Sequence, residues 1–105
     1  MPENSLAQLK ESAQAASGLL RSMSNPSRLL ILCMLIDSPG TSAGELSRVV
    51  GLSPSATSQH LARMKAENLI ECKRLAQRMN YFIKDESVRK LVTILKEIYC
   101  PEVGQ

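Results

Sequence analysis

Hydrophobic residues recur at helical spacing along most of this chain. From Ser5 to about Met23 they return every three or four positions, which predicts a long amphipathic helix. The segment from about Pro26 to Ile36 is apolar on nearly every side. Such a segment favours a helix at the centre of the core, with Cys33 largely buried. Asn25 is expected to cap this second helix, because its side-chain oxygen can accept a backbone N–H of the first turn. Pro26 follows as the first helical residue, where proline is well accommodated.

The two ends of the chain differ in pattern. Residues 86–100 carry a regular apolar stripe, made of Val88, Leu91, Val92, Leu95, Ile98 and Tyr99. This stripe predicts a final amphipathic helix, which Pro101 should end near Cys100. Residues 1–4 show no such pattern, and we expect them to be disordered.

Residues 41–69 predict two helices joined by a tight turn. Ser42 with Glu45 three residues later forms a capping box, so a short helix should begin there. Gly51 tolerates the positive φ of a sharp helix end. The pair Ser53-Pro54 then supplies a cap and a first residue for the second helix. In the short helix, the apolar side is expected to consist of Leu46, Val49 and Val50.

The second of these helices has two contrasting sides. The apolar side consists of Thr57, Leu61 and Met64. The opposite side is small, polar and basic, and consists of Ser55, Gln59, Ala62 and Arg63. A helix in the DNA major groove needs short side chains for close approach and a few donors for base edges and phosphates. The pattern therefore favours a DNA-binding helix-turn-helix, with an ordinary solvated helical hairpin as the alternative.

Asn68 can adopt the left-handed conformation that ends the second helix. Two strand-like runs follow it. They cover Ile70–Leu75 and Met79–Lys84 and are joined by Ala76–Arg78. Cys72 should face the core side of the first strand as a structural residue. A basic hairpin beside a helix-turn-helix is typical of a DNA-binding wing, although a merely solvated hairpin has the same pattern.

Composition supports one DNA-binding domain. The 105 residues suffice for a single domain with a modest core, expected to be aliphatic because aromatic residues make up only 3%. The net charge is +3, but nine basic and four acidic residues lie from Arg48 to Lys90, against four basic and six acidic elsewhere. The basic surplus thus coincides with the predicted DNA-binding half. The candidate DNA contacts are Ser53, Ser55, Ala56, Ser58, Gln59, Arg63, Lys73, Arg74 and Arg78.

The order of elements predicts a winged helix-turn-helix. The fold class is mainly α (α+β), with about five helices, a two-stranded wing over residues 70–84 and a last helix over residues 86–100. The first and last helices carry more apolar surface than one small domain covers, so a homodimer through these helices is expected. A two-fold dimer would bind pseudo-palindromic double-stranded operator DNA.

Other function classes find little support in the sequence. No catalytic residues are assigned, because no nucleophile, base and orienting group occur together. A protein-interaction module that uses the basic hairpin as its surface remains an alternative. The start of the chain lacks a signal-peptide pattern and the longest apolar run is too short for a membrane, so we expect a cytoplasmic protein with reduced thiols.

The chain resembles the ArsR/SmtB family of bacterial repressors from about residue 15 to residue 101. The resemblance lies in MSNPSRLLILCML, in SAGELSRVVGLSPSATSQHLARMKAENLI and in the wing ending NYFIK. Ala76 stands where the family often has a wing-tip glycine. The resemblance implies a repressor that releases DNA when it senses a signal, commonly a metal ion. It also implies that His60 packs within the recognition helix.

The usual metal ligands of that family do not occur at the matching positions. The first helix of the helix-turn-helix has no cysteine, and residues 86–100 have no histidine. Three scattered cysteines and His60 do not make a tetrahedral site, so no metal and no cofactor are expected. A metal- or metalloid-responsive repressor is kept as an alternative.

Cys33 and Cys100, in ILCML and IYCP, resemble the dithiol of the BigR/SqrR/YgaV branch, which senses persulfide and related reactive sulfur species. The resemblance implies that a disulfide or polysulfide bridge between the two cysteines lowers DNA affinity. A small-molecule persulfide, polysulfide or oxidant would then be the inducer. From the residues alone, two buried structural thiols are the favoured interpretation of these cysteines, because free cysteine is among the most buried residue types.

Overall fold

The computed structural model describes residues 5–100, which form five helices and three short strands. The helices are α1 (Leu6–Met23), α2 (Pro26–Asp37), α3 (Ala43–Val50), α4 (Pro54–Ala66) and α5 (Glu86–Tyr99), and the strands are β1 (Thr41–Ser42), β2 (Ile70–Leu75) and β3 (Arg78–Ile83). The predicted winged helix-turn-helix is confirmed. The expected disorder of residues 1–4 and the helix-ending role of Pro101 lie outside the described residues.

The helices begin and end where their local chemistry predicts. The side chain of Asn25 caps α2, and that of Ser53 accepts from the N–H of Ala56 at 3.1 Å to cap α4. Ser42 and Glu45 form the predicted capping box of α3. Gly51 ends α3 with φ +71°, in the left-handed region that glycine enters without strain. The residue types near each helix end therefore determined its position.

The sheet has three strands rather than the expected two. β2 and β3 form the antiparallel hairpin, and β1 pairs with the other edge of β3, giving the order β1-β3-β2. Thr41 lies opposite Tyr81 in this added pair. Next to it, the side-chain amide of Asn80 donates to the carbonyl of Gly40 at 2.7 Å. β1 was missed because two residues cannot show an alternating pattern, and only the pairing with β3 makes them a strand.

The turn of the hairpin is one residue shorter than predicted. β3 begins at Arg78, which pairs with Leu75, and it ends at Ile83. Ala76 and Gln77 alone form the turn, and Ala76 adopts a left-handed conformation with φ +59°. Tight hairpin turns require positive φ at this place, and glycine supplies it at the lowest cost. Ala76 thus adopts a backbone conformation that glycine would enter at lower cost.

The core is aliphatic, as expected, and lies between α2, α4, α5 and the base of the sheet. Its buried members are Met23, Ile31, Leu32, Leu35, Leu46, Leu61, Met64, Leu69, Ile70, Ile83, Val88 and Val92. Two predicted core positions differ. Val49 is 42% exposed, because it lies at the flank of α3 whereas Leu46 faces inward. Cys33 is half-buried rather than largely buried, because other elements cover only part of the circumference of α2, where Leu30 is also exposed.

The first and last helices retain exposed apolar side chains. These include Leu6, Leu9 and Leu20 on α1, and Ile94, Ile98 and Tyr99 on α5. Within residues 5–100 no single helix is long and apolar enough to cross a membrane. Only α1 and α2 taken together, with a bend of 92° between them, reach the required length and composition.

Candidate DNA interface and thiol site

α4 is fixed to the core by one side and leaves the other side open. Thr57, Leu61 and Met64 are at most 2% exposed, as the sequence predicted. On the opposite side, Ser55 and Gln59 are exposed. This arrangement presents short polar side chains on a rigid helix, which is the geometry that contact with base edges requires.

The remaining predicted DNA contacts on α4 and its cap differ in exposure and in their hydrogen bonds within the chain. Ser58 and Arg63 are exposed, whereas Ala56 is half-buried. Ser53 is exposed, but its hydroxyl oxygen already accepts the N–H of Ala56 as the helix cap. Arg63 lies in the last turn, where Nε donates to Oε2 of Glu67 at 3.3 Å. Ser58 is thus exposed like Ser55 and Gln59, whereas the side chains of Ser53 and Arg63 already form hydrogen bonds within the chain.

The basic residues of the hairpin are exposed, and two of them have partners within the chain. Arg78 Nη2 lies 3.6 Å from Oε1 of Glu45. Lys73 Nζ lies 5.0 Å from the centre of the Phe82 ring, within the range of a cation–π contact. Arg74 is exposed on β2. Of the three predicted hairpin contacts, Arg78 thus pairs with α3 and Lys73 lies over the sheet, and all three side chains are accessible to a phosphate backbone.

Glu45 and Glu67, the acidic partners of Arg78 and Arg63, both have lowered pKa values. The capping hydrogen bond from the backbone N–H of Ser42 lowers the pKa of Glu45, and Arg78 contributes in the same direction. The neighbouring hydroxyl of Ser22 lowers the pKa of Glu67, with a smaller effect from Arg63. Both shifts favour the charged form of the carboxylate that pairs with Arg78 or Arg63.

Sequence reasoning missed the role of Arg28 at this site. Its Nε donates to Nδ1 of His60 at 3.2 Å, and its Nη1 donates to the carbonyl oxygen of Ser22 at 3.0 Å. One guanidinium thus joins α1, α2 and α4. His60 is half-buried and accepts this bond, as the packing role implied by the family resemblance requires. The only available signal was the position of Arg28 within the segment MSNPSRLLILCML, which is part of the family resemblance.

Cys33 and Cys100 lie at one cavity between α2 and α5. The cavity has a volume of about 240 Å³ and is lined by Leu29, Cys33, Val92, Leu95, Lys96, Tyr99 and Cys100. Both thiols are free, with Cys33 half-buried and Cys100 exposed at the end of α5. Two thiols that are 67 positions apart in sequence therefore share one mostly apolar site.

Lys96 is the cation at this cavity, and no pattern in the sequence indicated its role. Its Nζ donates to Oδ1 of Asp37, the last residue of α2, at 2.6 Å. Burial raises the pKa of the Cys33 thiol above its ordinary value, and the ammonium of Lys96 acts against that increase. The hydrogen bond to Asp37 raises the pKa of Lys96 in turn, so Lys96 stays charged.

The third cysteine lies elsewhere. Cys72 is half-buried on β2, opposite Tyr81, and its sulfur accepts a hydrogen bond from Lys65 Nζ at 3.5 Å. Within residues 5–100, no three His, Cys, Asp or Glu side chains lie together as the ligands of a metal ion would.

Comparison with known proteins agrees with the fold and with the helix-turn-helix. Residues 25–71 match the sequence profile of "Bacterial regulatory protein, arsR family". The HTH-type transcriptional regulator YgaV of Escherichia coli is 62% identical over 96 residues, which cover 91% of this chain and 97% of YgaV.

Two solved structures show the same similarity. The structure of reduced HlyU from Vibrio cholerae is 38% identical, with a TM-score of 0.85, and covers 90% of this chain and 99% of its own. That of the transcriptional repressor BigR from Xylella fastidiosa is 26% identical, with a TM-score of 0.84, over 96% and 99%. Because the similarity to YgaV extends over nearly the whole of both proteins, this chain belongs to the arsR family of bacterial regulatory proteins and is a DNA-binding transcriptional regulator.

Proposed function

We propose that this regulator is a homodimeric repressor that releases operator DNA when a persulfide links Cys33 to Cys100. The observation that carries the proposal is the common cavity of the two thiols between α2 and α5. A cavity with two free thiols, largely apolar walls and access from the surface is suited to a small sulfur donor.

The DNA-binding part of the proposal rests on α4 and the hairpin. Ser55, Ser58 and Gln59 are exposed on α4 and would reach base edges in the major groove. Lys73, Arg74 and Arg78 would bind the flanking backbone, where cations supply affinity without reading sequence.

The homodimer rests on the apolar side chains that α1 and α5 leave exposed. Leu6 is 67% exposed, Ile98 is 61% exposed and Tyr99 is 77% exposed. Burial of such side chains against a second copy is favourable by about 25 cal/mol per Å² of apolar surface. A two-fold dimer would place two copies of α4 on a pseudo-palindromic duplex.

The proposed chemistry is a two-electron oxidation of the thiol pair. One cysteine thiolate attacks the terminal sulfur of an organic persulfide RS–SH, which leaves a cysteine persulfide and releases RS⁻. The second thiolate attacks the cysteine sulfur of that group, which forms the Cys33–Cys100 bond and releases HS⁻. The two thiols are oxidised, the transferred sulfur is reduced to sulfide, and the thiol protons pass to solvent. If a second RS–SH first converts the other cysteine to a persulfide and releases RS⁻, the terminal sulfur of one cysteine persulfide can attack the cysteine sulfur of the other. That attack forms a trisulfide bridge and releases HS⁻.

A bridge changes DNA affinity only if it favours one arrangement of the DNA-binding helices over another. α2 ends at Asp37, and residues 38–42 connect it to α3. A bridge that draws the end of α5 toward α2 therefore acts on the element that leads into the helix-turn-helix. A coupling of about 1.4 kcal/mol would change operator affinity tenfold.

The proposal is tested with a duplex selected from a random pool by the reduced protein. DNA binding is followed by fluorescence anisotropy while an organic persulfide is added, and the protein is then analysed by mass spectrometry. Loss of binding together with a Cys33–Cys100 linkage supports the proposal. Unchanged binding by a fully bridged protein, or release without this linkage, would contradict it.

A further inference from the structure

Lys96 connects α5 with α2 at the edge of the thiol cavity. Its ammonium donates to Asp37 at 2.6 Å across 59 positions of sequence, and its side chain lines the cavity that contains Cys33 and Cys100. The Lys96 side chain is 28% exposed and that of Asp37 is 58% exposed. The cation is thus held in place by a carboxylate that is itself largely in water.

We propose that the Lys96–Asp37 pair sets how readily Cys33 reacts, with Lys96 as a positioning residue whose charge is divided between the Asp37 carboxylate and the Cys33 sulfur. The inference rests on the function proposed above, in which Cys33 becomes one end of a sulfur bridge. Two residues outside the thiol pair, Lys96 and Asp37, would thus control the chemistry of that pair.

The charges around Cys33 support this role. Burial raises the pKa of Cys33, Lys96 lowers it, and Cys100 and Asp37 raise it further. Asp37 lies on the same helix as Cys33, and Lys96 and Cys100 lie on α5 and at its end. The phenol of Tyr99 also lines the cavity. Lys96 is the single cation among them and opposes the effect of burial.

Changes at Lys96 and at Asp37 should have opposite effects on the ionisation of Cys33. Both steps of bridge formation involve a thiolate, so Cys33 must lose its proton before the bridge closes. Removal of the Lys96 charge leaves burial, Cys100 and Asp37 unopposed, so the fraction of thiolate falls. Neutralisation of Asp37 removes a repulsive charge and frees Lys96 for the sulfur, so the fraction of thiolate rises. An ion pair with only a structural role would respond in the same direction to both changes, because each change breaks the same contact.

The experiment measures the ionisation of Cys33 by its rate of alkylation. In protein that carries Cys72→Ser and Cys100→Ser, the thiolate of Cys33 displaces iodide from iodoacetamide, and mass spectrometry follows the product as a function of pH. Lys96→Met should move the profile to higher pH and slow the reaction at neutral pH. Asp37→Asn should move it to lower pH and accelerate the reaction, and Lys96→Arg should behave like the parent. Because nucleophilicity falls with the pKa, each unit of displacement should change the neutral-pH rate only about three- to fourfold.

Two controls on α5 match these changes in charge. Lys90→Met removes an exposed lysine, and Glu86→Gln breaks the ion pair with Arg89, whose atoms lie 3.3 Å apart. Neither change should move the profile. Displacement in the same direction for Lys96→Met and Asp37→Asn, or no displacement, would overturn the inference. Persulfide-induced DNA release is scored separately in the Cys100→Ser protein. Continued release there removes the proposed function, whereas the alkylation profiles still decide the role of Lys96.

Discussion

The guanidinium of Arg28 donates through Nε to Nδ1 of His60 at 3.2 Å and so joins the first turn of α2 to the middle of α4, the helix that we propose binds DNA. The same side chain donates to the carbonyl oxygen of Ser22 at the end of α1. Both contacts are partly buried. The orientation of α4 on the domain is therefore fixed by a hydrogen-bonded side chain in addition to its apolar side.

Arg28→Ala should lower the free energy of unfolding by about 1–3 kcal/mol, because it leaves His60 and a backbone carbonyl without their donor. Urea unfolding followed by circular dichroism measures this. Arg48→Ala is a suitable control, because Arg48 is exposed and its loss should change stability by less than about 0.5 kcal/mol. Equal stability of the two variants would show that the Arg28–His60 bond makes no net contribution.

Gln59→Ala should weaken operator binding by about 1–3 kcal/mol and relax the preference at particular base pairs. Gln59 is exposed on α4 and can form two hydrogen bonds to a base edge. Binding to the selected duplex and to single-base variants of it provides the measurement. If the variant lost affinity equally for all these sequences, Gln59 would be a backbone contact and not a base contact.

Arg78→Ala should weaken binding to every duplex and reduce the slope of log affinity against log salt by about one unit. Folding should change little, because the exposed pair of Arg78 with Glu45 is worth at most about 1 kcal/mol. Titrations at several salt concentrations test this. A loss of affinity that leaves the salt slope unchanged would place Arg78 away from the phosphates.

Chelator treatment should leave both the melting temperature and operator affinity unchanged. The reason is the set of available ligands, since residues 86–100 lack histidine and the first helix of the helix-turn-helix lacks cysteine. Thermal unfolding and DNA binding are compared before and after dialysis against the chelator. A stoichiometric zinc that persists through purification and whose binding releases DNA would favour the metal-responsive alternative.

Cys33→Ser and Cys100→Ser should each bind DNA when reduced and fail to respond to persulfide, whereas Cys72→Ser should respond like the parent. Only the first two cysteines share the cavity, and Cys72 lies on β2. In the parent, the bridge closes a long loop and should stabilise the oxidised domain by up to about 4 kcal/mol, less any strain. Persulfide-driven release of the Cys100→Ser protein from DNA would require the two-thiol mechanism to be abandoned.

Local sequence determined where the helices of this protein begin and end. The caps Asn25, Ser42 and Ser53 and the left-handed ends at Gly51 and Asn68 all occur as predicted. These features depend on hydrogen bonds and φ angles within about four residues. The buried side of α4 could also be predicted from local sequence, because helical spacing alone brings Thr57, Leu61 and Met64 to one side.

Tertiary structure decided the features that depend on distant partners. β1 exists because β3 offers it a free edge, and Val49 is exposed because neighbouring elements cover only the side of α3 that carries Leu46. The family resemblance named Cys33 and Cys100, but no local pattern could place Lys96 and Asp37 beside them. The packing of α5 on α2 brings these groups together, and the order of residues along a chain does not encode such long-range distances locally.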